Sequence, residues 1–302
     1  EVELPRLALY HNWVRTQEDG WARFTLEQFG VPYSYINDET VRNGNLRARY
    51  DVILMAHQGS ADPKDLVHGR DPKFGAQAYT NTRDHPSHGA IDSSRDITGG
   101  IGFDGLRELE EFLDDGGTLI LLGSAGQLAT ELGLVRNVSI DREASVQTPG
   151  STFRTKPVRT SHPAVYGYNG ASTVFRVNGP VYGVPEKFDH WIVMQYGTKP
   201  LRDDETNDES PDETPESEVK PKPISDDTFL IAGYIDDASK LEKKGAIIDI
   251  PRNAGGRVVL YSFDPFHRYL NHNDFNYVFN VLMHWNDIPE PKPKDHPMLV
   301  KD

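Results

Sequence analysis

Ser124 stands in a tight turn of small residues, Gly123-Ser124-Ala125-Gly126, directly after the apolar run Thr118-Leu119-Ile120-Leu121-Leu122. A strand running into such a turn, with a helix behind it, has the shape of a nucleophile elbow, which presents one side chain at the end of a sheet. A serine hydroxyl becomes a nucleophile only when a neighbouring base takes its proton. The histidines placed for that task each follow another apolar run: His11, His57 and His267. In open α/β sheets, ligands bind at the carboxyl ends of the strands. His11, Asn12, His57, Gln58, Ser124 and Asp264 therefore form one candidate rim, with Phe266 and His267 just beyond. Two chemistries are open to it. One is hydrolysis by Ser124 with His11, His57 or His267 as base; the other is a metal- or sugar-binding rim built on His11, His57 and Asp264. The alternative is that these polar residues only cap and solvate strand ends.

Other motifs narrow the field. The chain has no cysteine, so disulfides, thiolate metal ligands and cysteine nucleophiles are excluded. Gly100-Ile101-Gly102-Phe103-Asp104-Gly105 matches a dinucleotide-binding spacing, but residues 92–99 before it are polar rather than a buried strand. It reads as a loop leading into a helix, because that motif needs the strand. Neither H-E-x-x-H nor H-x-x-E occurs, and the histidines at 68 and 284 read as surface residues. His85-Pro86-Ser87-His88 needs partners from elsewhere to hold a metal, since a site takes three or four convergent ligands. No metal set is assigned and no cofactor is expected.

The net charge of −14 is largely local: residues 203–218 hold nine acidic residues and no basic one, and the remainder carries −5. Without a dense Lys/Arg stripe, nucleic acid is not an expected partner. No apolar run approaches a membrane span, so no membrane role is expected either. The chain starts at Glu1 with no signal-peptide pattern, and reads as a fragment or a mature product.

The elements that must position the rim follow from periodicity. Residues 6–10, 31–36 and 50–56 read as strands, the last apolar enough to be buried on both faces of a parallel sheet. Residues 18–29 read as a helix with Trp21, Phe24 and Phe29 at helical spacing, stopped by Gly30. Residues 57–100 form a long polar excursion, and 102–114 a helix lined by Leu106, Leu109 and Leu113. The order βαβ, β, α, β predicts a flavodoxin-like, doubly wound, mostly parallel α/β sheet. A β-rich excursion spans about 138–235, with strand-like pieces at 173–177, 190–196 and 228–235. Within it, residues 201–223 are too polar to offset their ordering entropy and are expected to be disordered. Residues 246–250 and 257–263 predict a strand pair, and 274–285 a last helix capped by Asn273 or Asp274. We expect one α/β domain over residues 1–288 and a surface tail over 289–302.

The stretches Leu7-Ala8-Leu9-Tyr10-His11-Asn12-Trp13, Gly20-Trp21, Gly30-Val31-Pro32-Tyr33 and Tyr50-Asp51-Val52-Ile53-Leu54 carry a likeness. So do Gly256-Arg257-Val258-Val259-Leu260-Tyr261-Ser262-Phe263-Asp264-Pro265 and the helix at 276–285. Together they resemble the class I glutamine amidotransferase-like domain found at the C-terminus of bacterial zinc carboxypeptidase-like proteins. That family places a cysteine at the sharpest point of the elbow, a histidine after a late core strand, and an acidic residue two positions further on. The resemblance puts those positions on Ser124, Asp264 and Phe266, with His267 in play if the alignment shifts. Aspartate, with an ordinary pKa of about 3.9, is a weak base for a serine hydroxyl. The resemblance therefore implies a degenerate, non-catalytic accessory domain with a binding or structural role. It also implies an upstream zinc carboxypeptidase-like domain in the same parent chain as partner, and a secreted or periplasmic location.

Overall fold

The computed structural model describes residues 3–59, 62–201 and 228–292. The acidic stretch expected to be disordered and most of the C-terminal tail lie outside the described residues. The elements run β1 Leu7–Tyr10, α1 Gln17–Gln28, β2 Ser34–Ile36, α2 Asp38–Arg42, α3 Leu46–Arg49, β3 Val52–Met55, α4 Pro63–His68 and α5 Gly102–Asp114. They continue with β4 Thr118–Leu122, α6 Gly126–Glu131, β5 Ser139–Ile140, β6 Ser151–Pro157, β7 Ser172–Arg176, β8 Tyr182–Gly183 and β9 Ile192–Tyr196. The last four are β10 Leu230–Ala232, β11 Gly245–Pro251, β12 Arg257–Tyr261 and α7 His272–Met283.

Five parallel strands lie in the order β2-β1-β3-β4-β12, the flavodoxin-like order for a doubly wound sheet. From β12 the same sheet continues antiparallel through β11, β9 and β6, with β7 and β10 both pairing with β6. β5 and β8 form a separate two-stranded ribbon.

β1 and β3 are wholly apolar, and β4 and β12 are apolar beyond their first residues, because both faces are covered. Successive side chains alternate between faces. Leu7, Leu9, Val52, Leu54, Ile120, Leu122, Val259 and Tyr261 join the core that holds α1 and α7. Ala8, Tyr10, Ile53, Met55, Leu119, Leu121, Val258 and Leu260 join the core that holds α5 and α6. Among the described residues no helix is long and apolar enough to cross a membrane.

Four sequence expectations need correction. The buried residues of α1 are Asp19, Ala22, Thr25 and Leu26, whereas Phe24 and Phe29 are exposed at its edge against Tyr269 and Phe275. The strand expected at 31–36 is formed only by Ser34–Ile36. The polar excursion at 57–100 contains α4, capped by the Asp62 side chain. The last helix starts at His272, where no side chain caps it, and Asp274 is buried, accepting the Phe175 N–H at 2.9 Å instead. β6 escaped the sequence reading because its inward positions include Ser151 and Thr155, polar residues that read as loop.

Candidate functional site

The carboxyl ends of β1, β3, β4 and β12 bring the rim residues to one edge of the sheet, but in separate groups. His11 turns away from the others. Its Nε2 contacts Asp92 Oδ2 at 2.7 Å, and its ring stacks on Tyr35 with centroids 4.1 Å apart. Asn37 holds the same Asp92 oxygen at 2.7 Å, so His11 braces the polar excursion against the sheet. Burial holds the His11 pKa below its ordinary value, against the pull of Asp92. Asn12 accepts the backbone N–H groups of Val14 and Arg15 at 2.7 and 2.6 Å and donates to Gln58 Oε1. Gln58 Nε2 in turn donates to the Ala56 carbonyl at 2.9 Å.

His57 and Ser124 meet where β3 and β4 end. The Ser124 N–H donates to His57 Nδ1 at 3.1 Å, and the Ser124 Oγ lies 3.4 Å from the same nitrogen. Ser124 Oγ also accepts the Gln58 N–H at 2.9 Å. A neutral imidazole nitrogen has one in-plane lone pair. Here the backbone N–H takes it, so the contact ties two strand ends together and leaves no strong base for the hydroxyl. Burial lowers the His57 pKa, against the charges of Asp264 and Glu18.

The turn itself departs from the sequence expectation. Its left-handed residue is Gly123, at φ +53°, and Ser124 is one position past it in a helical turn. A Cβ at Gly123 would overlap His57 Nδ1. The sharpest point therefore has room for no side chain, and Ser124 does not occupy it.

The third group lies past β12. Asp264 is 2% exposed, its Oδ1 accepting the Phe266 N–H at 3.2 Å. His267 Nδ1 is 3.8 Å from Asp264 Oδ2 and 3.5 Å from Glu18 Oε2. These are ion-pair distances, and none of the three atoms has a hydrogen-bond partner. Burial opposes the charge on His267, but Asp264 and Glu18 outweigh it and push the pKa up to about 9. The His267 ring stacks on Phe175, with centroids 5.5 Å apart and planes 23° from parallel. Arg176, fully buried, donates to the Ser262 and Gly179 carbonyls and fixes the chain leading to Asp264. Asp19, beside Glu18, is fully buried with both oxygens unpartnered; burial and the charges of Glu18 and Asp264 hold its pKa well above the usual range.

Two expectations are thereby corrected. His11, His57 and Asp264 do not form a ligand set: His11 is engaged by Asp92 and His57 by the Ser124 N–H. Phe266, at the position the resemblance gives to an acidic residue, is core, packed against Phe275 and Phe279. The sequence reading missed Glu18 and Asp19. Both stand in the first turn of α1, where acidic residues ordinarily need no explanation beyond the helix dipole. The available signal was position: that turn follows the carboxyl end of β1 and so faces the rim. A cleft of about 630 Å³, lined by Ile140, Arg142, Tyr182 and Lys244 among others, shares no residue with the rim.

No protein-family model matches the chain, and no curated protein matches it. Solved structures do resemble it over most of its length. A cytoplasmic protein of Salmonella typhimurium is 14% identical at a TM-score of 0.48, covering 92% of this chain and 98% of its own. A protein of Bacteroides uniformis described as ThuA-like is 8% identical at 0.46, covering 95% of each chain. A glutamine amidotransferase of Thermotoga maritima is 9% identical at 0.40, covering 94% of this chain and 84% of its own. Likenesses of this degree carry no activity across. The strand order within the chain is what makes it a mixed α/β protein with a flavodoxin-like parallel core.

Proposed function

We propose that this chain is a non-catalytic amidotransferase-like domain that serves a larger protein by binding or structural support. The observation that carries this reading is the state of the elbow. Gly123 fills the left-handed position against His57, and the Ser124 Oγ beside it is buried and accepts a backbone N–H. Covalent catalysis needs an accessible nucleophile with a free base, and neither is present at this turn. The larger protein, by the resemblance of the β1, β3 and β12 segments, is a zinc carboxypeptidase-like protein whose catalytic domain precedes this one, in a secreted or periplasmic setting. A zinc carboxypeptidase domain encoded upstream on the same polypeptide is the expected finding; an unrelated neighbour would remove that part of the proposal.

Hydrolase assays test the non-catalytic reading. Purified protein offered glutamine and simple esters should show no turnover above background, and Ser124→Ala should match it. Turnover that disappears in Ser124→Ala would overturn the reading and restore the Ser124–His57 hydrolase.

A further inference from the structure

We propose that Glu18, Asp264 and His267 form a site for one divalent transition-metal cation, with zinc as the ion their donors suit. Among the described residues they are the one group of three or more potential ligands whose donor atoms converge, all within 4.8 Å of one another. Zinc takes imidazole nitrogen and carboxylate oxygen at about 2.0–2.2 Å, so adjacent donors of a tetrahedral site stand about 3.4 Å apart. The two distances from His267 Nδ1, 3.5 and 3.8 Å, lie close to that edge.

Donor state points the same way. The Oε2 of Glu18, the Oδ2 of Asp264 and the Nδ1 of His267 are buried, and none has a hydrogen-bond partner. Buried polar atoms are ordinarily paired, and unpaired ones call for an ion, a water or a functional role. Asp264 is nine-tenths buried and more, with its second oxygen aimed at the other two donors.

The ligands are also held as ligands need to be. The Phe266 N–H fixes one oxygen of Asp264 and leaves the other free, and Phe175 sets the plane of the His267 ring. Glu18 and His267 keep 12% and 13% of their side-chain surface exposed, which gives an ion a way in. The charged groups around the site are Glu18 and Asp19 from α1, His57 from the end of β3, Arg176 from β7 and Asp274 from α7. A dication that displaces the His267 proton to solvent and binds two carboxylates and the neutral imidazole would leave no net charge among its ligands. Three protein ligands leave a fourth position open to water or a ligand, as in zinc sites that are not purely structural. This site is independent of whether the domain docks on a parent protein, and of the Ser124 chemistry.

Chelator-stripped protein should be titrated with zinc chloride by calorimetry, and its bound zinc counted by elemental analysis after dialysis. One zinc per chain is expected. His267→Gln and Glu18→Gln should each weaken binding about tenfold or more. The His85–His88 pair, exposed at His85 and half-buried at His88, with rings stacked 4.7 Å apart, is the competing source of adventitious zinc. A His85→Ala/His88→Ala variant should keep the full stoichiometry. Anomalous diffraction from zinc-loaded wild-type crystals should place the ion between the three side chains, a result that does not depend on any variant folding. The proposal fails if zinc is absent after dialysis, if binding is lost with His85 and His88, or if the anomalous peak lies elsewhere.

Discussion

Strand β12 has a buried carboxylate cluster near each end, and the two are finished differently. At its start, Asp249 on β11 receives Arg257 Nη1 on both oxygens, at 3.0 and 2.9 Å, and Arg159 on one of them. His162 stands 3.5 Å away. Past its end, Asp264 has one oxygen bound and one unpartnered, facing Glu18 and His267 at ion-pair distance. The first carboxylate is fully buried and its charge is met by guanidinium groups that cannot lose theirs. The second, with Glu18 beside it, is met instead by the longer ion-pair contacts of His267, at 3.8 and 3.5 Å. Guanidinium hydrogen bonds to both Asp249 oxygens secure β11 against β12, although Arg159 Nε and His162 Nε2 lack hydrogen-bond partners there too, whereas the Asp264 cluster has no guanidinium and costs stability that a bound cation would return.

That contrast can be broken in several ways. The largest effect is expected at the Asp249 end. Asp249→Ala leaves Arg257 buried and Arg159 half-buried without their carboxylate and should cost about 3–5 kcal/mol in denaturant unfolding. Asp264→Asn should cost less than about 1 kcal/mol in metal-free protein, because the amide oxygen can still accept the Phe266 N–H. Equal losses at the two sites would erase the distinction drawn here.

Titration supplies a smaller, signed difference between two buried carboxylates. The guanidinium groups and His162 overcome burial and hold the Asp249 pKa below the usual range. Its contribution is therefore present above about pH 4 and lost as pH falls through the folded-state value. Asp274, which feels the charge of Asp264, is pushed by burial up to about 8, against the Phe175 N–H that lowers it. Its folded form keeps a proton that the unfolded chain releases near pH 4. Stability should thus fall as pH rises from about 4 to 8. Asp274→Asn should flatten that fall in unfolding midpoints measured across the window; an unchanged slope would mean that Asp274 is not the group responsible.

Much of this architecture was legible before any coordinates. β3 and β4 are apolar on both faces, which only a covered parallel strand requires, and α5 announces itself through Leu106, Leu109 and Leu113, of which Leu109 and Leu113 are buried. The rim was legible as a topological consequence, and Asp264 was found that way. Its division into separate groups was not, because the partners that decide it are remote: Asp92 claims His11, and the Ser124 N–H claims His57. Glu18 stayed hidden for the complementary reason. Its local setting already explains an acidic residue, and only the fold brings His267 to it. The inward polar residues of β6 likewise carry no local sign of burial.

Gly123 also constrains how this chain could change. Placing a reactive side chain at the sharp point of the turn takes more than one substitution. A cysteine or serine placed there meets the imidazole of His57 and must also adopt a backbone angle that residues with a Cβ avoid. His57 would have to shrink or swing aside first, and that step alone removes the tie between the ends of β3 and β4. A side chain at this position is thus barred by a ratchet: each enabling change is unfavourable until the other has been made.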